Sequence, residues 1–319
     1  MPVGQPETSY APELFCVASE SNDVELQGSG GMNDAKRGHT NVGRGEIRKI
    51  FIKTNVLSQA SGSAYMECGN TKVIASVNGP KEIPRGSEET STLLGRLDVR
   101  FRFANFCRQI RLKPSNVQRQ GIGGSQATDP EEIKYGNALH DALVPSILLE
   151  KFPNARVDVT LTVLEDDGGA LAAAITCSSA ALADASVEMY DCVVGCTAAF
   201  HTRSDMSAEN DNFVSNIILD PTKTEENSMA MLNSSSDASC CESGLVTIGY
   251  LQSINQISCA HHVGFISPEN VMQVITALTK VCCNIYGVVQ VELVRSVRQR
   301  IKSSKSRNLK QNAGDIEKS

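Results

Sequence analysis

Three acidic residues and two glycines stand together in the middle of the chain. Glu165, Asp166 and Asp167 end a predicted strand, and Gly168-Gly169 leads into a predicted alanine-rich helix. Carboxylates near the positive end of a helix dipole stabilise the helix by about 0.3–1 kcal/mol. A magnesium site would need further oxygen ligands that converge from elsewhere in the chain. The pattern therefore favours a structural role for these acids over a metal site.

A second acidic group follows about fifty residues later, in the segment ILDPTKTEEN. Its carboxylates belong to Asp220, Glu225 and Glu226, and the next residues, 228–231, contain no further acid. Carboxylates in such a cluster can serve as a general acid or base. The five histidines are scattered, and no serine–histidine–acid arrangement can be inferred from their positions.

Basic residues are concentrated between positions 96 and 119. They are Arg96, Arg100, Arg102, Arg108, Arg111, Lys113 and Arg119. One interpretation is a surface that contacts the phosphates of a nucleic acid, which reads the backbone and not the sequence. The other is a solvated strand face followed by a loop, because basic surface is common. The pattern alone leaves both open.

Composition and charge limit the classes of protein. Hydrophobic residues make up 41% of the 319 residues and charged residues 21%, which is enough for a conventional core. The net charge of −6 argues against a protein that coats nucleic acid through bulk positive charge. No apolar run approaches the length of a membrane span, and the polar start MPVGQPETSY is not typical of a signal peptide. We expect no membrane partner.

The eleven cysteines predict free thiols. Their number is odd, their contexts are apolar, and no C-x-x-C pair occurs. No set of ligand pairs has the spacing of a structural zinc site. We therefore expect no metal and a reducing compartment, the cytosol or the nucleus.

The pattern of strands and helices predicts one α+β domain. Residues 1–45 are polar and lack a sustained period, which predicts a disordered or loosely attached extension. A hairpin turns at residues 68–70, a strand covers 97–103, and helices cover about 130–150 and a segment that begins at Ser267-Pro268. The domain is predicted over 46–301, followed by a polar tail over 302–319.

Several motifs in combination resemble the RNase PH family. They are LSQASGSAY at 57–65, GNTKV at 69–73, LLGRLDVRF at 93–101, the Asp-Gly-Gly turn at 167–169, ASVEMYDCVVGC at 185–196 and LDPTKTEE at 219–226. The resemblance covers about residues 46–300 and is strongest to one of the family's ring subunits in the eukaryotic RNA exosome. It implies an RNase PH-like fold, related to the second domain of ribosomal protein S5, with βαβα units and mixed sheets.

The resemblance also implies a former active site that has lost its chemistry. In phosphorolytic members a hydroxyl residue and an arginine follow the two glycines and hold phosphate, where this chain has Ala170 and Leu171. Asp220 and Glu225 match acidic positions of the family, but Glu226 replaces the key aspartate. Glu131, with Glu132, stands where a phosphate-binding arginine is expected. No catalytic residue, metal or cofactor is then expected.

The implied function is that of a non-catalytic structural subunit that supports 3'–5' RNA processing and decay, including rRNA maturation and mRNA turnover. The implied partners are other RNase PH-like subunits in a hexameric ring, a cap subunit of the S1 or KH type, and single-stranded RNA. Arg108 and Arg111, and after them Arg102, are the residues expected to contact RNA in the central channel. The implied locations are nucleus, nucleolus and cytoplasm. Two alternatives stay open, an active phosphorolytic exoribonuclease with an altered site and a free-standing RNA-binding protein, although the acidic charge balance disfavours the latter.

Overall fold

The computed structural model describes residues 47–82, 94–107, 129–204, 213–234 and 242–316, and in these ranges it describes side chains up to residue 302 except at 202–216 and 230–234. Within these ranges the chain forms nine strands and four α-helices. Their bounds in chain order are β1 Ile50–Thr54, β2 Gly62–Cys68, β3 Thr71–Glu82, β4 Arg96–Phe103, α1 Pro130–Leu143, β5 Ala155–Glu165, α2 Ala170–Asp184, β6 Val193–Ser204, β7 Phe213–Leu219, α3 Lys223–Ser234, β8 Ser243–Leu251, β9 Gln256–Phe265 and α4 Pro268–Ile316.

The strands form two sheets, and the predicted α+β class with a mixed sheet is confirmed. The first sheet has the order β1-β2-β3-β5-β4. In it β4 runs parallel to β5, with Leu97 opposite Val157, while the other pairs are antiparallel. The second sheet has the order β7-β6-β8-β9 and is antiparallel throughout. One hydrophobic core joins residues of both sheets.

Helix α2 lies between the two sheets, against β2 and β3 on one side and β6 on the other. All of its residues except Ala183 are buried, which its small alanine side chains permit. The approach to β6 is so close that a Cβ on Gly195 would lie 2.5 Å from the carbonyl oxygen of Ala172. The buried hydroxyl of Thr176 accepts the Gly195 N–H at 2.9 Å, and that of Ser179 accepts the Val193 N–H at 2.8 Å. Helix α2 is thereby fixed against β6 in the centre of the molecule.

The patterns that predicted the first sheet reflect burial on one face. Strands β2 and β3 pair as a hairpin that turns at Gly69-Asn70, as predicted. In β4, Leu97, Phe101 and Phe103 are buried, and the alternate residues point away from the core. This alternation places Arg102 on the outer face of a strand that forms the edge of the sheet.

Helix α1 is shorter than predicted. It begins at Pro130 as expected but ends at Leu143, and two short 3₁₀ turns replace the remainder up to Lys151. Pro145 accounts for the difference, since proline has no N–H to donate and its ring clashes with the preceding helical turn.

Helix α4 carries the predicted apolar stripe but is longer than expected. Val274, Leu278 and Cys282 are inaccessible to solvent where the helix packs on β1, β6 and β8. By length and composition the part from Pro268 to Lys302 could cross a membrane, with a mean hydropathy of 1.5 over its most apolar window. The expectation that no apolar run approaches this length is wrong, and 33% of this window is buried within the protein. The helix also continues beyond residue 301 to Ile316, while the predicted domain boundaries stay predictions.

The eight cysteines in the described ranges are all free thiols. Four of them, Cys68, Cys177, Cys196 and Cys282, are buried in the core, where burial raises the pKa of Cys177 to about 12. These thiols pack as small apolar side chains.

Candidate functional site

The turn between β5 and α2 fixes the position of the candidate site. Gly168 has a φ of +91°, a conformation that L side chains rarely adopt, and a Cβ there would lie 2.4 Å from the carbonyl oxygen of Pro221. The N–H of Lys223 donates to the carbonyl oxygen of Asp167 at 3.0 Å. The two acidic segments singled out in the sequence, around Asp166 and Glu226, therefore lie side by side.

A buried arginine, Arg48, forms an ion pair with Asp220. The Arg48 side chain is 8% exposed and that of Asp220 is 9% exposed. The Nε of Arg48 donates to Oδ2 of Asp220 at 2.8 Å, and its two terminal nitrogens donate to the carbonyl oxygens of Asp167 and Gly168 at 2.9 and 3.1 Å. The thiol of Cys68 donates to the same carboxylate at 3.3 Å. Asp220 thus joins the turn to the first sheet and is held as a structural anion.

The charge of Asp220 also keeps Arg48 ionised. Burial by itself lowers the pKa of the guanidinium, but the hydrogen bond and the charge of Asp220 more than offset it, so the pKa lies above its usual value. A charge-assisted pair of this kind in a water-poor environment is stronger than an exposed one.

Glu226 occupies the start of α2. Its Oε1 accepts the N–H of Gly169 at 2.8 Å, which is the kind of donor that binds an anion at a helix N-terminus. The other oxygen lies 3.4 Å from the Nζ of Lys223, and the same Nζ lies 2.8 Å from Oδ2 of Asp166. The chain therefore places its own carboxylate on this N–H and its own ammonium group between two acids.

The pKa values of this cluster follow from its burial and its charges. Burial raises the pKa of the Glu226 carboxyl, although the Gly169 N–H and the Lys223 ammonium oppose the rise. For Lys223, burial lowers the pKa, but the charge and hydrogen bond of Asp166 and the charge of Glu226 outweigh it and raise the pKa overall. The lysine remains a cation that is already shared by two carboxylates.

The first turn of α2 offers no polar side chain to a ligand. Ala170 is 8% exposed and Leu171 is 5% exposed, and Gly169 at the N-cap has no side chain. A methyl and an isobutyl group provide neither a hydrogen-bond donor nor a charge. The predicted degenerate positions Ala170 and Leu171 therefore lie in the first turn of α2, next to the Gly169 N–H that donates to Glu226.

Helix α1 brings further negative charge to the cluster. The charge of Glu131 acts on the phenol of Tyr135, as do the charges of Lys223, Glu226 and Asp166. Burial first, and then Glu131, raises the pKa of Tyr135 to about 12. The neighbouring Glu132 is committed to the fold, because it accepts the N–H of Phe103 at 2.9 Å. Glu131 thus belongs to the electrostatic environment of the predicted degenerate site.

The arrangement concentrates negative charge around the turn between β5 and α2. Asp166, Glu131 and Glu226 contribute negative charge, Lys223 is shared between two of these acids, and an incoming phosphate would meet repulsion. Among the described residues no group of three or more histidine, cysteine or acidic side chains could hold a metal ion.

The predicted RNA-contacting residues are only partly described. Arg102 lies on the exposed face of β4, next to Arg100, and neither forms an ion pair with a residue that the structure describes. In contrast Arg96 pairs with Asp98 at 2.9 Å on the same strand. Arg108 and Arg111 lie outside the described residues.

Two residues of the site were missed by reasoning from the sequence. Arg48 precedes the first strand and gave no local signal, since its partner lies 172 positions further along the chain. Lys223 stands three residues before Glu226 at the start of α3. This spacing is typical of a helical ion pair and was the available signal.

Comparisons with known proteins identify the class. The first domain of the 3' exoribonuclease family, RNase PH, matches residues 46–188. A solved structure with the same fold is rice Rrp46, with a TM-score of 0.58, 20% identity and coverage of 79% of this chain and 98% of that one. The archaeal exosome complex component Rrp41 of Thermoplasma volcanium is 37% identical over 172 residues, which are 53% of this chain and 64% of the relative.

Two relatives match nearly the whole chain. The mouse exosome complex component MTR3 is 33% identical over 306 residues, and the human protein of the same name is 32% identical over 307. In both cases the match covers 92% of this chain and 94% of the relative. The chain therefore belongs to the RNase PH family of 3' exoribonucleases. The predicted resemblance to exosome subunits of this family is confirmed.

Proposed function

We propose that this chain is a non-catalytic structural subunit of an RNA exosome ring that supports 3'–5' RNA processing and decay, including rRNA maturation and mRNA turnover. Its relatives named as exosome components support the assembly. One observation carries the proposed lack of catalysis: the Glu226 carboxylate accepts the Gly169 N–H at 2.8 Å, where a phosphate would need that donor.

The charges around this hydrogen bond support the same conclusion. A phosphate that approached the turn would have to displace Glu226 and would face Asp166, while Lys223 stays paired with both acids. Ala170 and Leu171 offer no polar group in exchange. Since unit charges at contact distance interact by about 1 kcal/mol even in bulk water, and by more near a protein, this repulsion opposes phosphate binding.

The test is release of nucleoside diphosphates from RNA. The purified chain, with RNA, phosphate and magnesium, is expected to release none, while an archaeal exosome that contains Rrp41 serves as the positive control. The matched variant is Glu226→Gln, which keeps the size of the side chain. Phosphate-dependent release by the unmodified chain that disappears in this variant would overturn the proposal.

That outcome would instead support the second candidate, an active phosphorolytic exoribonuclease with an altered site. The observation in its favour is the raised pKa of Glu226, because a buried carboxyl with a raised pKa is suited to act as a general acid. The apolar side chains of Ala170 and Leu171 weigh against this candidate.

The proposed partners are other RNase PH-like subunits in a hexameric ring, a cap subunit of the S1 or KH type, and single-stranded RNA. Strand β9 supports a subunit interface, because it is the edge of its sheet and exposes Val263 and Phe265, which are 52% and 72% accessible. An exposed sheet edge with apolar side chains is a liability in a free monomer. The Phe265→Asp variant should fail to join co-expressed ring subunits, whereas Tyr190→Asp, at another exposed aromatic residue, should join.

We further propose that Arg102, with Arg108 and Arg111, contacts RNA in the central channel of the ring. The exposure of Arg102 and its lack of an ion pair with a described residue support this role. Replacing these arginines by alanine should weaken protection of RNA by the assembled ring without preventing assembly. We place the protein in the nucleus, nucleolus and cytoplasm, which imaging of a tagged chain tests.

A further inference from the structure

The second half of α4 has a charge opposite to that of the chain as a whole. Residues 293–314 contain seven lysines and arginines and no aspartate or glutamate, in a chain with a net charge of −6. The backbone is helical as far as Ile316, so these cations follow one another along a single helix.

Two of these cations serve the fold. Arg300 pairs with Asp184 at the end of α2, whose side chain is only 2% exposed, and also donates to the Asp184 carbonyl oxygen at 3.3 Å. Arg295 lies 3.8 Å from the carboxylate of Glu292 on the same helix. The Arg300 pair attaches the basic segment of the helix to the end of α2.

Arg298 and Lys302 have no such role. Both are exposed, and neither forms an ion pair with a residue that the structure describes. Positions 298, 302 and 305 are spaced by four and then three residues, which places them on one face of a helix. With a rise of 1.5 Å per residue, these three positions span about 10 Å along the helix. We call Arg298, Lys302 and Lys305 the basic face.

We propose that the basic face binds the phosphate backbone of single-stranded RNA, outside the former active site and apart from Arg102, Arg108 and Arg111. Charge complementarity supports this occupant, because RNA is the polyanion on which the family acts. An anionic membrane surface fits less well. Interfacial helices place tryptophan, phenylalanine or leucine beside the cations, whereas the exposed apolar residues here are Val294, Val297 and Ile301. The inference rests on family membership and does not depend on whether the chain is catalytically inert.

The test compares two triple variants of the full chain, alone and in its co-expressed complex. Arg298→Gln, Lys302→Gln and Lys305→Gln are combined in one variant. Lys49→Gln, Lys151→Gln and Lys280→Gln are combined in the control, which removes the same charge from other exposed positions. Binding of a fluorescent single-stranded oligouridine is measured between about 50 and 200 mM salt, the range over which phosphate binding changes affinity strongly.

Each cation that no longer binds a phosphate of a single strand lowers the salt slope by about 0.7, so the first variant should lower it by about 2. The control variant should leave it unchanged. Equal slopes for the unmodified chain and the first variant would overturn the proposal. So would a loss of binding to phosphatidylserine vesicles without a loss of binding to oligouridine, since the face would then recognise membranes. Failure of ring assembly or detection of phosphorolysis would contradict the proposed function and leave this measurement intact.

Discussion

The start of α2 and the second half of α4 differ in whether their charged side chains are paired within the protein. At the start of α2, the charged groups Asp166, Lys223 and Glu226 are paired with one another. The N–H of Gly169 donates to the Glu226 carboxylate. Along α4, Arg298 and Lys302 extend into solvent without an acidic partner among the described residues. The first region is closed by the chain itself, and the second leaves charge available to a partner.

The difference separates charges that the fold pairs internally from charges that it leaves exposed. At the turn, Glu226 accepts the Gly169 N–H and Lys223 pairs with Asp166 and Glu226, so these groups already have partners within the chain. Binding capacity then has to lie on exposed surfaces, because only charges that the fold has not already paired can gain new partners. Removing the partner of a buried charge should therefore destabilise the fold strongly, and removing an unpaired charge on α4 should destabilise it weakly.

The largest effect is expected for Arg48→Ala. The substitution leaves the carboxylate of Asp220 buried without its main partner, and removing one member of a buried pair costs about 3–5 kcal/mol. The free energy of unfolding, measured in urea, should fall by that amount. The matched control is Lys72→Ala, whose pair with Glu165 is roughly half exposed and should cost no more than about 1 kcal/mol. If the two variants lose the same stability, Arg48 does not hold the turn.

A smaller effect is expected at the ion pair between α4 and the end of α2. Arg300→Ala removes a charge-assisted hydrogen bond to the buried Asp184 carboxylate, which still accepts the Ser63 N–H at 3.0 Å. Because the arginine is partly exposed, we expect a loss near the lower end for such bonds, about 1.5 kcal/mol. Arg298→Ala, two residues earlier, should change stability by less than about 0.5 kcal/mol. A larger loss for Arg298→Ala would mean that the basic face already has partners within the chain.

Much of the fold could be predicted because it is encoded locally. Alternation between core and solvent predicted β4, and the serine and proline before Glu269 predicted the start of α4. The predicted end of α1 was wrong. The apolar pattern continues past Pro145, but proline cannot continue the helical hydrogen bonds. Such patterns are visible in the sequence because residues that share one buried face of a strand or helix lie only a few positions apart.

The sequence could indicate only where the candidate site departs from the family pattern. Ala170 and Leu171 stand in a recognisable turn, so their missing polar groups were visible in the sequence. The ion pair of Arg48 with Asp220 joins residues 172 positions apart. The pair of Lys223 with Asp166 joins two segments that the tertiary fold brings together at the turn of Gly168. Pairs of this kind follow from the tertiary fold and have no local pattern.

The smallest effect is a pH dependence at Glu226. Burial raises the pKa of its carboxyl above the ordinary value of 4.5, so the folded state binds the proton more tightly than the unfolded state. The stability that this group contributes is fully present below that value and is lost as pH rises through the folded pKa. Glu226→Gln cannot ionise and retains an oxygen for the Gly169 N–H. The unfolding free energy of this variant, minus that of the unmodified chain, should therefore increase between about pH 4 and pH 7. Urea unfolding at several pH values measures this difference, with Glu188→Gln as a control at an exposed carboxylate. A difference that stays constant or falls as pH rises would show that the Lys223 pairing outweighs the cost of burying Glu226.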